Sequence, residues 1–143
     1  MTVSRILAIK GRDVITTQPH RTLAEVAQLL SEKGIGALVV TDVSGEVLGI
    51  VSERDVVRAV ARQGAVALDD TVARHMTVRV VTARETSTIN GLMQQMTAGR
   101  FRHVPVTENG RLVGLISIGD VVKHRLEEYE NEQKALKDYI ATA

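Results

Sequence analysis

The sequence predicts an α+β protein made of two copies of a strand, helix, strand, strand, helix unit, with a short helix before them and an extended one after. Three observations carry that expectation. Sliding the chain 65 residues along itself pairs positions 17–57 with 82–122 and gives nine identities: Thr17/Thr82, Gly34/Gly99, Val39/Val104, Gly45/Gly110, Gly49/Gly114, Ser52/Ser117, Asp55/Asp120, Val56/Val121 and Val57/Val122. Chance at ordinary residue frequencies gives roughly three. Short β-rich aliphatic runs alternate with stretches of helical period. With one Phe, two Tyr and no Trp, the core must be aliphatic, which suits strands covered by helices.

Each element has a local reason. Val3, Ile6 and Leu7 form a helical stripe in the lead-in. Val14 to Thr17 is a short β-rich run ended by Pro19, and Thr22-Leu23-Ala24-Glu25 is a capping box that opens a helix with Leu23, Val26, Ala27 and Leu30 on one face and Gly34 as its stop. Ala37–Val40 and Val47–Val51 read as strands joined at Ser44-Gly45, and Ser52 to Ala61 as a second helix stopped near Gly64. The second half repeats this order, with Ile89, Leu92, Met93 and Met96 as its first helical stripe. That stripe matches at an offset of 66, so one of the two helices is expected to be a residue shorter. Residues 62–77 link the halves, and the domains divide as 1–67 and 68–143. From Val122 the apolar residues Leu126, Tyr129, Leu136 and Ile140 recur at alternating spacings of 4 and 3, with Gln133 in the one polar seam position. The pattern fits a helix laid on its own domain or one pairing with another subunit.

Composition excludes several classes. Eighteen Lys and Arg against 17 Asp and Glu give a net charge of +1, so no global field draws nucleic acid or anionic lipid. The absence of Cys excludes disulfides and thiolate chemistry and fits a cytoplasmic protein. No apolar stretch approaches membrane-spanning length, and no secretory signal follows Met1. His20, His75, His103 and His124 are scattered without ligand-pair spacing, and no phosphate loop or dinucleotide fingerprint occurs. Neither a catalytic constellation nor a metal cage is expected.

The strongest motif is Gly49-Ile50-Val51-Ser52-Glu53-Arg54-Asp55, repeated as Gly114-Leu115-Ile116-Ser117-Ile118-Gly119-Asp120. Both copies run from an apolar strand into a helix start, where free N–H groups and the helix dipole attract an anion and a Ser hydroxyl can add a hydrogen bond to phosphate. An Asp three residues on can accept from two adjacent hydroxyls, as a ribose diol presents them. The same Ser-x-x-Asp spacing is also a good N-cap, worth about 1 kcal/mol without any ligand. Recurrence at matching places, each after Gly and two aliphatics, favours a nucleoside phosphate site over capping alone.

These residues resemble a tandem pair of cystathionine-β-synthase (CBS) domains, a Bateman module, over about residues 10 to 125. Both motifs fit that family's pattern of Gly, two hydrophobic residues, Ser or Thr, two further residues and Asp or Asn. Phe101-Arg102-His103-Val104-Pro105-Val106 resembles the start of its second strand. The resemblance implies repeats packed about a pseudo-two-fold axis, two clefts between their sheets, an adenosine nucleotide in a cleft with its ribose on the Asp, and pairing of modules into a homodimer. Carried over by position, one cleft combines Ser52, Arg54 and Asp55 with Met76, Thr77, Val80, Phe101, Arg102 and His103. The other combines Ser117 and Asp120 with Lys10, Gly11, Val14, Ile15, Gly36 and Ala37.

The two copies differ: Arg54 is replaced by Gly119, Arg102 stands where the first repeat has Ala37, and Val40 where the second has Pro105. The resemblance therefore implies AMP, ATP or NAD(H) as ligand, with more phosphate expected in the Asp55 cleft, and a separate client protein to receive the signal. Arg100, Phe101 and Arg102 make a weak nucleic-acid footprint, and no nucleic-acid or membrane partner is expected. A ligand-independent dimerisation scaffold, with Ser52 and Asp55 only as caps, is the rival expectation.

Overall fold

The computed structural model describes residues 1–142. Helix α1 (Val3–Lys10) leads into β1 (Thr16–Thr17), α2 (Leu23–Lys33), β2 (Ala37–Thr41), β3 (Val47–Ser52) and α3 (Glu53–Gln63). The link carries two 3-10 turns, Ala65–Asp69 and Val72–Arg74, before α4 (Ile89–Gly99), β4 (His103–Glu108), β5 (Arg111–Ser117) and α5 (Ile118–Thr142). In the first half β1 runs parallel to β2, which pairs antiparallel with β3; in the second, β4 and β5 form a hairpin. The second-half counterpart of β1 is reduced to one parallel bridge, Ala83 to Val106, so the expected strand is not formed there.

The local signals act as expected at the helix starts. Thr22 and Thr88 accept from the N–H groups of Glu25 and Gly91, and Gly34 ends α2 in the left-handed conformation (φ 63°). The expected one-residue difference between helices is not observed, since α2 and α4 each have 11 residues. It lies in the hairpins. Thr41 pairs with Val47 and Thr107 with Leu112, so the first turn holds one more residue than the second. Equivalent positions are therefore 66 apart before the turn and 65 apart after it. His103, paired with Ser117, is the counterpart of Ala37, paired with Ser52. Arg102 is the counterpart of Gly36: the N–H of Ile118 donates to the Arg102 carbonyl (2.8 Å) as that of Glu53 donates to Gly36 (3.0 Å). Likewise Pro105 answers Val39 rather than Val40, and Arg100, left-handed at φ 57°, answers Gly34.

Two cores form, and each borrows the chain that precedes the other half. Val3, Ile6 and Leu7 of α1 lie among Ala83, Ile89, Leu92, Met96, Val104, Val106, Ile116 and Val121 of the second half. Ala67 and Val72 of the link close the core formed by Leu23, Val26, Leu30, Leu38, Val40, Val51 and Ala59. The division 1–67 and 68–143 thus separates the lead-in helix from the core it completes.

The crossings pass over the two motif glycines. A Cβ on Gly49 would stand 2.6 Å from the Thr77 carbonyl oxygen and 3.0 Å from Met76 Sδ; one on Gly114 would stand 2.6 Å from Leu7 Cδ2. Gly49→Ala is expected to cost about 2–3 kcal/mol, because backbone must move. Gly114→Ala meets only the methyls of one side chain, so its cost should shrink in a Leu7→Ala background, where that space is vacated. Urea unfolding of the two single variants and the double variant checks this, and strictly additive losses would contradict it.

Candidate functional site

The Ser-x-x-Asp segments close reciprocal caps at the starts of α3 and α5. The Ser52 and Ser117 N–H groups each donate to Oδ2 of the following Asp at 2.8 Å, and the Asp N–H donates back to Ser Oγ at 3.4 Å (Asp55) and 3.1 Å (Asp120). Capping is therefore a physical role of both motifs. It engages only Oδ2. Asp55 Oδ1 makes no hydrogen bond among the described residues, its nearest cation being Arg58 at 3.9 Å.

Around Asp55 lies an open cavity of about 260 Å³. Of the residues expected in the first cleft, Ser52, Arg54, Asp55, Thr77, Phe101, Arg102 and His103 line it together. Met76 and Val80 do not: Met76 is drawn beneath Gly49 into the first core, and Val80 lies half-buried in the link. Gly36 and Ala37, expected opposite Asp120, line this cavity instead. A Cβ on Gly36 would lie 3.7 Å from the His103 ring and 3.5 Å from Glu53 Oε1.

Ile50, Glu53, Arg58 and Arg100 also line the cavity, although none was expected there from the sequence. Arg58 lies four residues after Arg54 on α3, so the helical repeat was its signal. Arg100 had only its place beside Phe101 and Arg102 as a signal. It keeps a long side chain in a left-handed conformation where the first repeat uses Gly34, a strain of about 1–2 kcal/mol. Beside it the Phe101 ring is seated against Gly99, where any Cβ would overlap it.

Four guanidinium groups thus face two carboxylates in one cavity. Arg54, Arg100 and Arg102 make no ion pair among the described residues. Such a lining can bind a polyanion beside a hydroxyl-accepting carboxylate.

The other cleft is arranged differently. Lys10 Nζ donates to Asp120 Oδ2 at 2.5 Å and to the Leu115 carbonyl at 2.7 Å. In the first half the equivalent residue, Ile50, instead exchanges backbone hydrogen bonds with Thr77 (2.9 and 3.0 Å). Lys10, Ser117 and Asp120 come together, while Gly11 is the exposed C-cap of α1, Val14 is half-buried and Ile15 packs on the first core. Burial raises the Asp120 pKa, but hydrogen bonds from Lys10 and the Ser117 backbone more than offset it, and the net shift is downward. Between the clefts, burial and then the Lys10 charge hold the His103 pKa below 6.5, against opposing pulls from Asp120 and Glu53. Among the described residues no group of His, Asp or Glu is placed to hold a metal ion, and no helix is long and apolar enough to cross a membrane.

The family model of the CBS domain matches residues 5–62 and 71–127, so this chain belongs to the CBS domain family as a tandem pair. It is similar to a CBS-domain containing protein of Agrobacterium tumefaciens: 55% identity, 87% of this chain and 99% of that one covered, TM-score 0.85. It is also similar to a Pyrobaculum aerophilum CBS domain protein solved with AMP, with 30% identity, coverage of 84% and 89%, and a TM-score of 0.75. A CBS domain pair solved with 5'-methylthioadenosine and S-adenosylmethionine shares 25% identity, with coverage of 90% and 98% and a TM-score of 0.80.

Because the folded-state pKa values of His103 and Asp120 lie below their ordinary ones, the unfolded chain binds more protons. Both stabilising contributions are complete above the ordinary imidazole range. The His103 part is lost as pH falls from about 6.5 through its lowered value, and the Asp120 part at more acid pH. In Lys10→Met the His103 pKa should rise, since a positive neighbour is gone and Asp120 is unmasked. Imidazole titration by NMR checks the direction, and an unchanged value would contradict it.

Proposed function

We propose that this chain is a non-catalytic regulatory module that binds an adenosine-containing ligand in the Asp55 cavity and reports its presence to a partner. The observation that carries this reading is the convergence of one free carboxylate oxygen, unpaired guanidinium groups and an apolar wall in a single cavity. Asp55 Oδ1 accepts from the ribose diol while Oδ2 continues to cap α3. Ile50, Thr77 and Phe101 contact the base, and Arg54, Arg100 and Arg102 take the phosphates. The AMP and S-adenosylmethionine complexes of similar CBS proteins support an adenosine ligand. The excess of guanidinium groups favours ATP or NAD(H) over AMP here.

The Asp120 cleft takes AMP more weakly, because Lys10 must leave Asp120 before a ribose can approach. The module acts as a cytoplasmic homodimer whose client is a separate protein. The opposing reading, a scaffold with capping serines and aspartates only, has the reciprocal caps in its favour.

Asp55→Asn keeps a cap acceptor while removing the charge. It is expected to weaken NADH or ATP binding about tenfold or more in calorimetry, with little change in thermal stability without ligand. Arg102→Ala should lower both affinity and its dependence on salt. A thermal-shift panel of AMP, ATP, NADH and S-adenosylmethionine that shows no stabilisation by any of them would leave the scaffold reading in its place.

A further inference from the structure

We propose that α5 pairs with α5 of a second copy of this chain as a parallel, in-register two-stranded coiled coil. Among the described residues of the helix, Val121 and His124 in its first turns are the buried ones. From Tyr129 to Thr142 every residue is exposed, leaving a free helical stretch of about 20 Å. Isolated helices of this length are marginal in water, so a partner is needed to keep it ordered.

The uncovered face is apolar and has heptad spacing. Leu126 (56% exposed), Tyr129 (59%), Leu136 (53%) and Ile140 (64%) follow Val122 at spacings of 4 and 3, with Gln133 completing the seam. At 100° per residue the seam lies about 130° round the helix from the Val121 and His124 stripe, so the body does not cover it. The long apolar side chains stay in water unless another helix takes them up.

Charge selects the occupant and its direction. With Leu126, Gln133 and Ile140 at the a positions, the flanking e and g positions are Lys123, Arg125, Glu130, Glu132 and Lys137, followed by Tyr139. In a parallel pair each g residue faces the e residue five positions on in the partner. That sets Arg125 against Glu130 and Glu132 against Lys137, both attractive and each made twice by symmetry. An antiparallel pair with the same apolar overlap stacks Val122 on Ile140 and Leu126 on Leu136. It then sets Glu130 beside Glu130, Glu132 beside Glu132 and Lys123 beside Lys137, all repulsive. Gln133 decides in the same direction: in register it meets its own amide in the partner, whereas antiparallel it lies against Tyr129.

The chain has no cysteine, so single Cys variants of the full chain report neighbours without background. Under mild oxidation, Gln133→Cys and Ile140→Cys are expected to link to the same residue of a second copy about tenfold faster than Lys134→Cys, which lies off the seam. Glu132→Lys should raise the dimer dissociation constant by roughly tenfold at low salt, and combining it with Lys137→Glu should restore it. Three results would overturn the proposal. One is a monomer mass by light scattering at micromolar concentration. Another is equal linking at positions 133, 134 and 140. The third is linking of Ile140→Cys to Val122→Cys in a mixture while Ile140→Cys alone stays unlinked, the signature of an antiparallel pair.

Discussion

The structure depends on two chain crossings that require glycine. At Gly49 the link passes so close that its Thr77 carbonyl and Met76 side chain occupy the space of a Cβ, and at Gly114 Leu7 does the same. Through these crossings α1 completes the second core and residues 65–76 complete the first. Neither half can bury its sheet with its own residues alone, so the halves form one cooperative unit although each has its own repeat. The motif's leading glycine therefore answers to packing. The ligand chemistry argued for the motif begins only at its serine.

That separation clarifies how one short motif can cap a helix and still leave a carboxylate oxygen free. A capping box satisfies the helix start through Ser Oγ and Asp Oδ2, and a carboxylate has a second oxygen to spend. At Asp55 that oxygen borders a cavity rich in arginine. At Asp120 a lysine from α1 has already reached the carboxylate and also holds the Leu115 carbonyl, which its first-half counterpart satisfies with backbone. The inequality of the clefts thus originates less in Arg54 against Gly119 than in what precedes each repeat. A helix bearing Lys10 precedes one, and an extended link bearing Thr77 the other.

Much of this was legible in the sequence because the deciding signals are local. Thr22, Ser52, Ser117 and Gly34 act through bonds to residues within a few positions, and the repeat supplied the order of elements. The shifted equivalences between the repeats share one cause. A single extra residue in the first hairpin turn shifts the pairing of everything before it, so a match at 65 placed Arg102 opposite Ala37 where the ladder places it opposite Gly36. Gly36 and Ala37, expected in the second cleft, line the Asp55 cavity. Two features had no local sequence signal. Arg100 holds a left-handed backbone without being Gly or Asn, and α1 packs on the distant half, a choice made by tertiary burial.

The two capped helices also differ in what they can transmit. Helix α3 starts at the Asp55 cavity and ends after 11 residues at Gly64, where the chain turns at once into the first core through Ala67. A displacement of its first turn is absorbed within the half that generates it. Helix α5 starts at the Asp120 cap and continues unbroken for 25 residues, about 38 Å. Its first turn is tied to α1 through Lys10, and its far half, from Tyr129 to Thr142, is exposed throughout. Rotating that first turn by about 5° therefore moves the Ile140 end by about 3 Å, while the same rotation of α3 moves packed neighbours that resist it. Of the two helix starts, only the Asp120 one is joined to a lever that reaches beyond the body. Breaking the Lys10 to Asp120 pair alters the anchor of that lever directly. His103, whose ring stands over Gly36 on the wall of the Asp55 cavity, lies close to that pair: burial lowers its pKa most, the Lys10 charge lowers it further and Asp120 raises it.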